Sequence, residues 1–350
     1  MTKSGASTSR RQYAIALIAY CLSVAIGCRD DPPASQPAVP LITQSRTERL
    51  WKTPDFTELP GSRTFSGYHL VGPYQCRKQG VYVIDLGDLS VKRIGLDGRL
   101  QVVYGRGPGE GPGELQALQD FYVHPRGDVF IVSGNQRLLS HFTARGEFVA
   151  RYPLEACHPH RIVGLDVAHL AIWCLHPQQP NPMFLTLTLD AQPTGRFGTL
   201  IDASVPMAFF AYEGWMVDRP EGGFVFVPMR ASYLYFFDAT GRLERIIQTI
   251  DRLEYPLDRL QASDRITSRA LSQPVHQFLL SSTEKAFFVT VGIQQPQGGR
   301  LMALDRYDRT TGQYMYSAQL PVNGMALVAD PYVFINAGDT TLAIYQVHWP

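Results

Sequence analysis

The sequence has no excess of charge of either sign: 32 Lys and Arg stand against 31 Asp and Glu in 350 residues. That balance excludes a nucleic-acid interface built on bulk basic charge, and it excludes an acidic disordered chain. Charge is scarce altogether, at 18% of residues. Beyond residue 28 no apolar run is long enough to cross a bilayer. There is no Gly-x-Ser-x-Gly nucleophile elbow and no His-Glu-x-x-His zinc motif. The glycine-rich stretch Gly105 to Glu114 lacks a Gly-Lys-Ser/Thr ending. Pro108 and Pro112 also remove N–H donors that a phosphate cradle needs, so the stretch reads as a structural linker. What the sequence does have is aromatic side chains (11%), 30 glycines and 25 prolines. That mix suits many short strands joined by tight turns.

The first 27 residues read as a signal peptide. Lys3, Arg10 and Arg11 form a basic start, and Tyr13 to Gly27 is uncharged and mostly apolar or small. The run ends in Ala25-Ile26-Gly27-Cys28, followed at once by Arg29, Asp30 and Asp31. This resembles a bacterial lipobox, which implies that Cys28 is lipidated and becomes the first residue of the mature chain. Residues 28–46 are rich in Pro and small polar residues and read as a tether. The expected location is the bacterial cell envelope, with the chain held to a membrane through its lipid.

Residues 47–350 are expected to form one domain, because a repeat runs through them. A turn ending in Gly, one polar residue and an apolar residue recur around Gly98, Gly146, Gly195, Gly241 and Gly312. The spacing is close to constant except in the last interval, which contains the polar, helix-like segment 250–273. A period of about 40–50 residues with four strands per repeat predicts propeller blades. The expected fold is therefore all-β: a six-bladed propeller of four-stranded blades with a short helical insertion at 250–273. The sixth repeat shows three strands before Pro350. The segment Thr47 to Lys52 is expected to supply its outer strand and close the ring, which removes a free sheet edge.

The second repeat is the most specific. It carries Gly105-Arg106-Gly107-Pro108-Gly109-Glu110, then Val123-His124-Pro125-Arg126-Gly127-Asp128, then Asn135-Gln136-Arg137. These resemble an NHL-type repeat, and the chain is similar to bacterial six-bladed propeller lipoproteins of the NHL/TolB-like group. The later repeats lack the Asn-x-Arg element. The resemblance implies a ring-shaped scaffold whose loops bind partners or small molecules. It implies no reaction, since the fold hosts many functions.

Two sets of residues could carry chemistry. Cys157, His158, His160, Cys174 and His176 are types that ligate Zn or Cu, and the two cysteines could equally pair. With Cys76 as a third thiol in the domain, three pairings are open and spacing does not choose among them. Asp120, Asp166, Glu213 and Asp218 fall near predicted inner strands, where carboxylates from several blades could gather a hard cation such as Ca²⁺. Asp is also an ordinary turn residue. The function expected from this is an envelope-anchored scaffold that binds a protein partner or small ligand, with no evident catalysis and no nucleic acid. The alternative is a Ca- or Zn-dependent hydrolase, lactonase or lyase using the channel.

Overall fold

The computed structural model describes residues 39–65, 70–77, 80–155, 157–174, 181–200, 212–252, 275–338 and 340–350. The signal peptide, Cys28, His176 and most of the 250–273 insertion lie outside them. Among the described residues there is no helix.

Four short strands come first: β1 (Leu41–Ile42), β2 (Trp51–Lys52), β3 (Asp55–Glu58) and β4 (Arg63–Thr64). Six antiparallel sheets follow. Blade one holds β5 (Leu70–Arg77), β6 (Gly80–Asp85), β7 (Ser90–Ile94) and β8 (Leu100–Tyr104). Blade two holds β9 (Asp120–Val123), β10 (Val129–Ser133), β11 (Leu138–Phe142) and β12 (Phe148–Pro153). Blade three holds β13 (Pro159–Gly164), β14 (His169–Cys174), β15 (Phe184–Thr188) and β16 (Pro193–Phe197). Blade four holds β17 (Gly214–Asp218), β18 (Phe224–Pro228), β19 (Tyr233–Phe237) and β20 (Leu243–Gln248). Blade five holds β21 (Val275–Ser282), β22 (Ala286–Gln294), β23 (Arg300–Asp308) and β24 (Tyr314–Gln319). Blade six holds β25 (Met325–Ala329), β26 (Tyr332–Asn336) and β27 (Thr341–His348), completed by β3. This is a six-bladed β-propeller.

The burial pattern follows from blades stacked face to face. A second strand is covered on both sides, so it reads as a continuous apolar run rather than an alternation: every residue of Val129–Ser133 and Phe224–Pro228 is buried. Outer strands lie on the perimeter and are largely exposed, as in Pro193–Phe197. The core is divided into six apolar clusters, one at each boundary between blades. The cluster that closes the ring joins Val81, Val83 and Ile94 of blade one to Phe334, Leu342 and Ile344 of blade six.

The repeat signal comes from the turn between third and fourth strands. Thr143 N–H donates to the Glu147 carbonyl, Gly146 N–H donates to Thr143, and Gly146 takes φ +82°. A side chain with Cβ is disfavoured in that region, which is why glycine recurs there. In blade three the signal misleads. Gly195 lies inside β16, and the positive φ falls on Ala191.

The ring closes differently from the expected register. Asp55–Glu58 pairs antiparallel with β27, and Arg63–Thr64 extends the same edge. The segment assigned to this place, Thr47 to Lys52, instead joins blade five, where β2 pairs parallel with β24. The reason lies in the edge position: of Asp55–Glu58 only Phe56 packs inward, against Tyr345 and Trp349. Such a strand has little apolar signature. Residues 39–46, which read as tether from composition, lie along blade four. There β1 pairs parallel with β20, and buried Gln44 donates to the Gln248 and Gly312 carbonyls.

Candidate functional site

Neighbouring inner strands of a propeller share no ladder, so side chains must satisfy the backbone groups that face across the gap. Among the described residues a polar side chain does so at five of the boundaries. Gln75 accepts from Val123 N–H at 2.8 Å and donates to the Phe121 carbonyl. Asp120 accepts from Ile162 N–H at 3.0 Å. Arg161 Nε donates to the Gly214 carbonyl at 3.0 Å. Gln277 donates to the Ala231 carbonyl, and Ser281 Oγ accepts from Val328 N–H.

These sutures support a rim with a distinct character. Among the described residues, the chain enters the inner strands of blades two and three at this rim through 105–119 and through 154, 155, 157 and 158. At the opposite end the described connections are short hairpin turns, such as 124–128, 143–147 and 238–242. On the loop-bearing rim of blades two to four, His160 stacks on Trp173 with ring centres 4.6 Å apart and planes 4° off parallel. The Arg161 guanidinium lies over the Trp215 ring at 4.3 Å. Glu213 accepts from Arg230 at 3.1 Å. Arg137 reaches His158, and Gln119 reaches His160 Nδ1 at 3.2 Å. Arginine can only donate, so in this pair His158 Nε2 is the acceptor. Burial, reinforced by the Arg161 charge, holds His160 below the ordinary histidine value.

Cys157 and Cys174 are joined by a disulfide, with Cα atoms 5.1 Å apart. Their sulfurs are therefore not thiolate ligands. His158 is turned to Arg137, and His160 is stacked on Trp173. His176 lies outside the described residues. Among the described residues no three His, Cys, Asp or Glu side chains converge to hold a metal.

The four carboxylates do not meet. Asp120 and Glu213 stand at the starts of their inner strands; Asp218 ends β17, and Asp166 lies on the turn after β13. Burial pushes the Asp166 carboxyl up. Hydrogen bonds from the Ala168 N–H and from His169 outweigh this and hold it below the ordinary range. It is a turn cap.

Asp120 is 6% exposed. Burial pushes its carboxyl up to about 6, and the Arg161 charge and the Ile162 N–H offset that only in part. A folded-state value above the unfolded one makes ionisation a cost. Below about pH 4 the carboxyl is protonated in both states, and stability falls as pH rises through the window from about 4 to 6. The expected loss is on the order of 3 kcal/mol for this residue. Asp120→Asn keeps an acceptor for Ile162 N–H, so urea unfolding at pH 4.5, 5.5 and 7 is expected to show this downward component flattened in the variant.

Residues that the sequence did not single out also shape the rim: Arg161, Trp215 and Gln277. The available signal was a charged residue interrupting a buried run, Pro-His-Arg-Ile-Val-Gly in β13. The turn-bearing end of the ring has a cavity of about 750 Å³ lined by Cys76, Lys285, Arg309, Asp330 and Tyr332 among others. Its charges are mixed, and Arg309 is committed to Glu221 at 2.5 Å.

No family model matches the chain, and no curated protein matches it in sequence. Solved structures do match in fold. A Bacteroides fragilis protein assigned as exported aligns with a TM-score of 0.58 at 11% identity, over 89% of this chain and 99% of its own. A DUF4221 family member from Bacteroides vulgatus aligns with a TM-score of 0.61 at 11% identity, over 85% and 98%. Virginiamycin B lyase from Staphylococcus aureus aligns with a TM-score of 0.51 at 9% identity, over 83% and 99%. At such identities the likeness is one of fold.

Proposed function

We propose that the chain is an exported, lipid-anchored propeller scaffold that takes a protein partner or small ligand on the loop-bearing rim of blades two to four. The asymmetry of the ring carries this reading: one end is built from minimal turns, while the other carries the 105–119 connection and the oriented polar side chains of blades two to four. Loops set on a rigid frame are where propellers and other scaffolds place recognition. The rim offers polar side chains already oriented by one another, which lowers the entropy cost of binding. Its one strongly perturbed carboxyl, Asp120, is sealed off and bonded to backbone, so its role is positional.

Export is supported by the signal-like N-terminus and by the fold neighbour assigned as exported. The Cys157–Cys174 disulfide fits an oxidising compartment. The lipobox-like Ala25 to Cys28 supports the anchor, and the second blade supports placement beside NHL/TolB-like lipoproteins.

Site-specific photo-cross-linking in the native envelope tests the rim. Arg137 is exposed on the rim of blade two, and Arg145 is exposed on the turn end of the same blade. With benzoylphenylalanine at either position in the full chain, discrete cross-linked adducts are expected from position 137 and not from position 145. Adducts from 145 alone, or equal capture from both, contradict the reading.

A further inference from the structure

Ten large hydrophobic side chains are exposed among the described residues, and four of them belong to the N-terminal segment on the outer wall or to the strand it pairs with. Leu41 is on β1, Leu50 and Trp51 lie at β2, and Met315 is on β24, the strand that β2 pairs with. Single exposed apolar residues are ordinary. Here they coincide with the place where the chain joins the domain. Residues 39–52 form a strap across the outer edges of blades four and five. The Pro40 carbonyl accepts from Ile246 N–H, the Leu50 carbonyl accepts from Ser317 N–H, and Arg49 is tied to both blades.

We infer that this strap is the membrane-facing side of the propeller, and that Leu41, Leu50 and Trp51 rest in the interfacial zone of the bilayer that holds the lipid. The inference rests on the anchored reading proposed above. The lipid surface is chosen as occupant because of where the chain outside the described domain leads. Only the eleven residues from Cys28 to Ala38 separate the anchor from Val39. At the rise of an extended Pro-rich chain they reach about 35 Å. The described chain begins at Val39 on the wall of blade four, so the tether meets the ring at the strap.

The side-chain chemistry suits that position. Tryptophan and leucine favour the headgroup boundary, and nearby cations favour anionic lipid. Arg46, Lys52 and Arg252 are exposed beside the patch, with Glu48 as the opposing charge. Arg252 spends its bonds on the Gln44 and Arg46 carbonyls rather than on a carboxylate. Lys52 lies over the Tyr316 ring at 4.9 Å. The acyl chains supply attachment, and the patch supplies orientation. With the wall against the membrane, the channel axis lies along the surface and the recognition rim opens sideways, unobstructed.

The test uses the full chain, extracted from membranes and reconstituted into vesicles of phosphatidylcholine with phosphatidylglycerol, with and without bromine on the acyl chains. Trp173 and Trp215 are buried and Trp349 is half-buried, so Trp51 is the indole open to lipid. Brominated lipid is expected to quench part of the emission of the native chain, and that part is absent in Trp51→Phe. The double variant Leu41→Asp, Leu50→Asp stays on the vesicles through its lipid but loses the Trp51 quenching severalfold. A vesicle-bound native chain whose Trp51 is untouched by bromine overturns this orientation alone. The same result with a dimer on sizing assigns the patch to a second copy and also overturns it. A chain that does not associate with vesicles overturns the anchored reading, and the orientation with it.

Discussion

Replacing Arg49 by methionine is expected to lower the unfolding free energy by about 3–5 kcal/mol, the cost of leaving buried carboxylates without their counter-charge. Arg49 sits between Asp251 at 2.6 Å and Asp305 at 2.8 Å, whose side chains are 5% and 0% exposed. Asp305 also accepts from Ser317 Oγ. Burial already pushes Asp251 up, and the neighbouring Asp305 charge adds to this; Arg49 offsets both in part. Without the guanidinium, two like charges share a dry site. The loss should come with a structural signature, because Arg49 ties the N-terminal strap to blades four and five at once. Limited proteolysis within residues 39–52 is expected to accelerate in the variant. Arg49→Met combined with Asp251→Asn and Asp305→Asn should recover most of the loss. If the single variant unfolds within about 1 kcal/mol of the native chain, the buried triad is not what holds the strap.

Lys92→Met is expected to cost a similar amount, about 3–5 kcal/mol. Lys92 is 1% exposed, and its Nζ lies 2.5 Å from Asp85 and 2.6 Å from Asp88. Asp85 is itself 1% exposed, and its other oxygen accepts from Gly87 N–H. The pair spans β6 and β7 where they meet the rim of blade one. Methionine fills a similar volume, so the loss comes from charge rather than from a cavity. Lys92→Met with Asp85→Asn removes both charges and is expected to lie closer to the native chain than Lys92→Met alone. Urea unfolding of the four members of this cycle gives the coupling directly.

The blade plan was legible because turn chemistry repeats. A residue in the left-handed region recurs after the third strand, and the sequence displays it as glycine at Gly98, Gly146, Gly241 and Gly312. Where another residue carries the positive φ, as Ala191 does, the same pattern points at a strand. The second strands were legible because burial on both faces demands unbroken apolar runs. The outer strand of blade six was not, because an edge that packs only Phe56 reads like a loop.

The rim was less legible for a different reason. Arg161 and Gln277 owe their roles to backbone carbonyls of a neighbouring blade, at Gly214 and Ala231. Such contacts exist only once the ring has closed, and no local spacing announces them. The Cys–His cluster was visible as a cluster, but the pairing of Cys157 with Cys174 depends on where β13 and β14 place their ends. These two strands pair directly, with Pro159 opposite Cys174.

The mature N-terminus of the full chain, read by mass spectrometry after extraction from membranes, tests the anchored scaffold most directly. The expected result is a chain that begins at Cys28 and carries acyl groups on that residue, with Cys28→Ser left unacylated and released from the membrane fraction. A native chain that begins elsewhere, or that carries Cys28 without acyl groups, contradicts it.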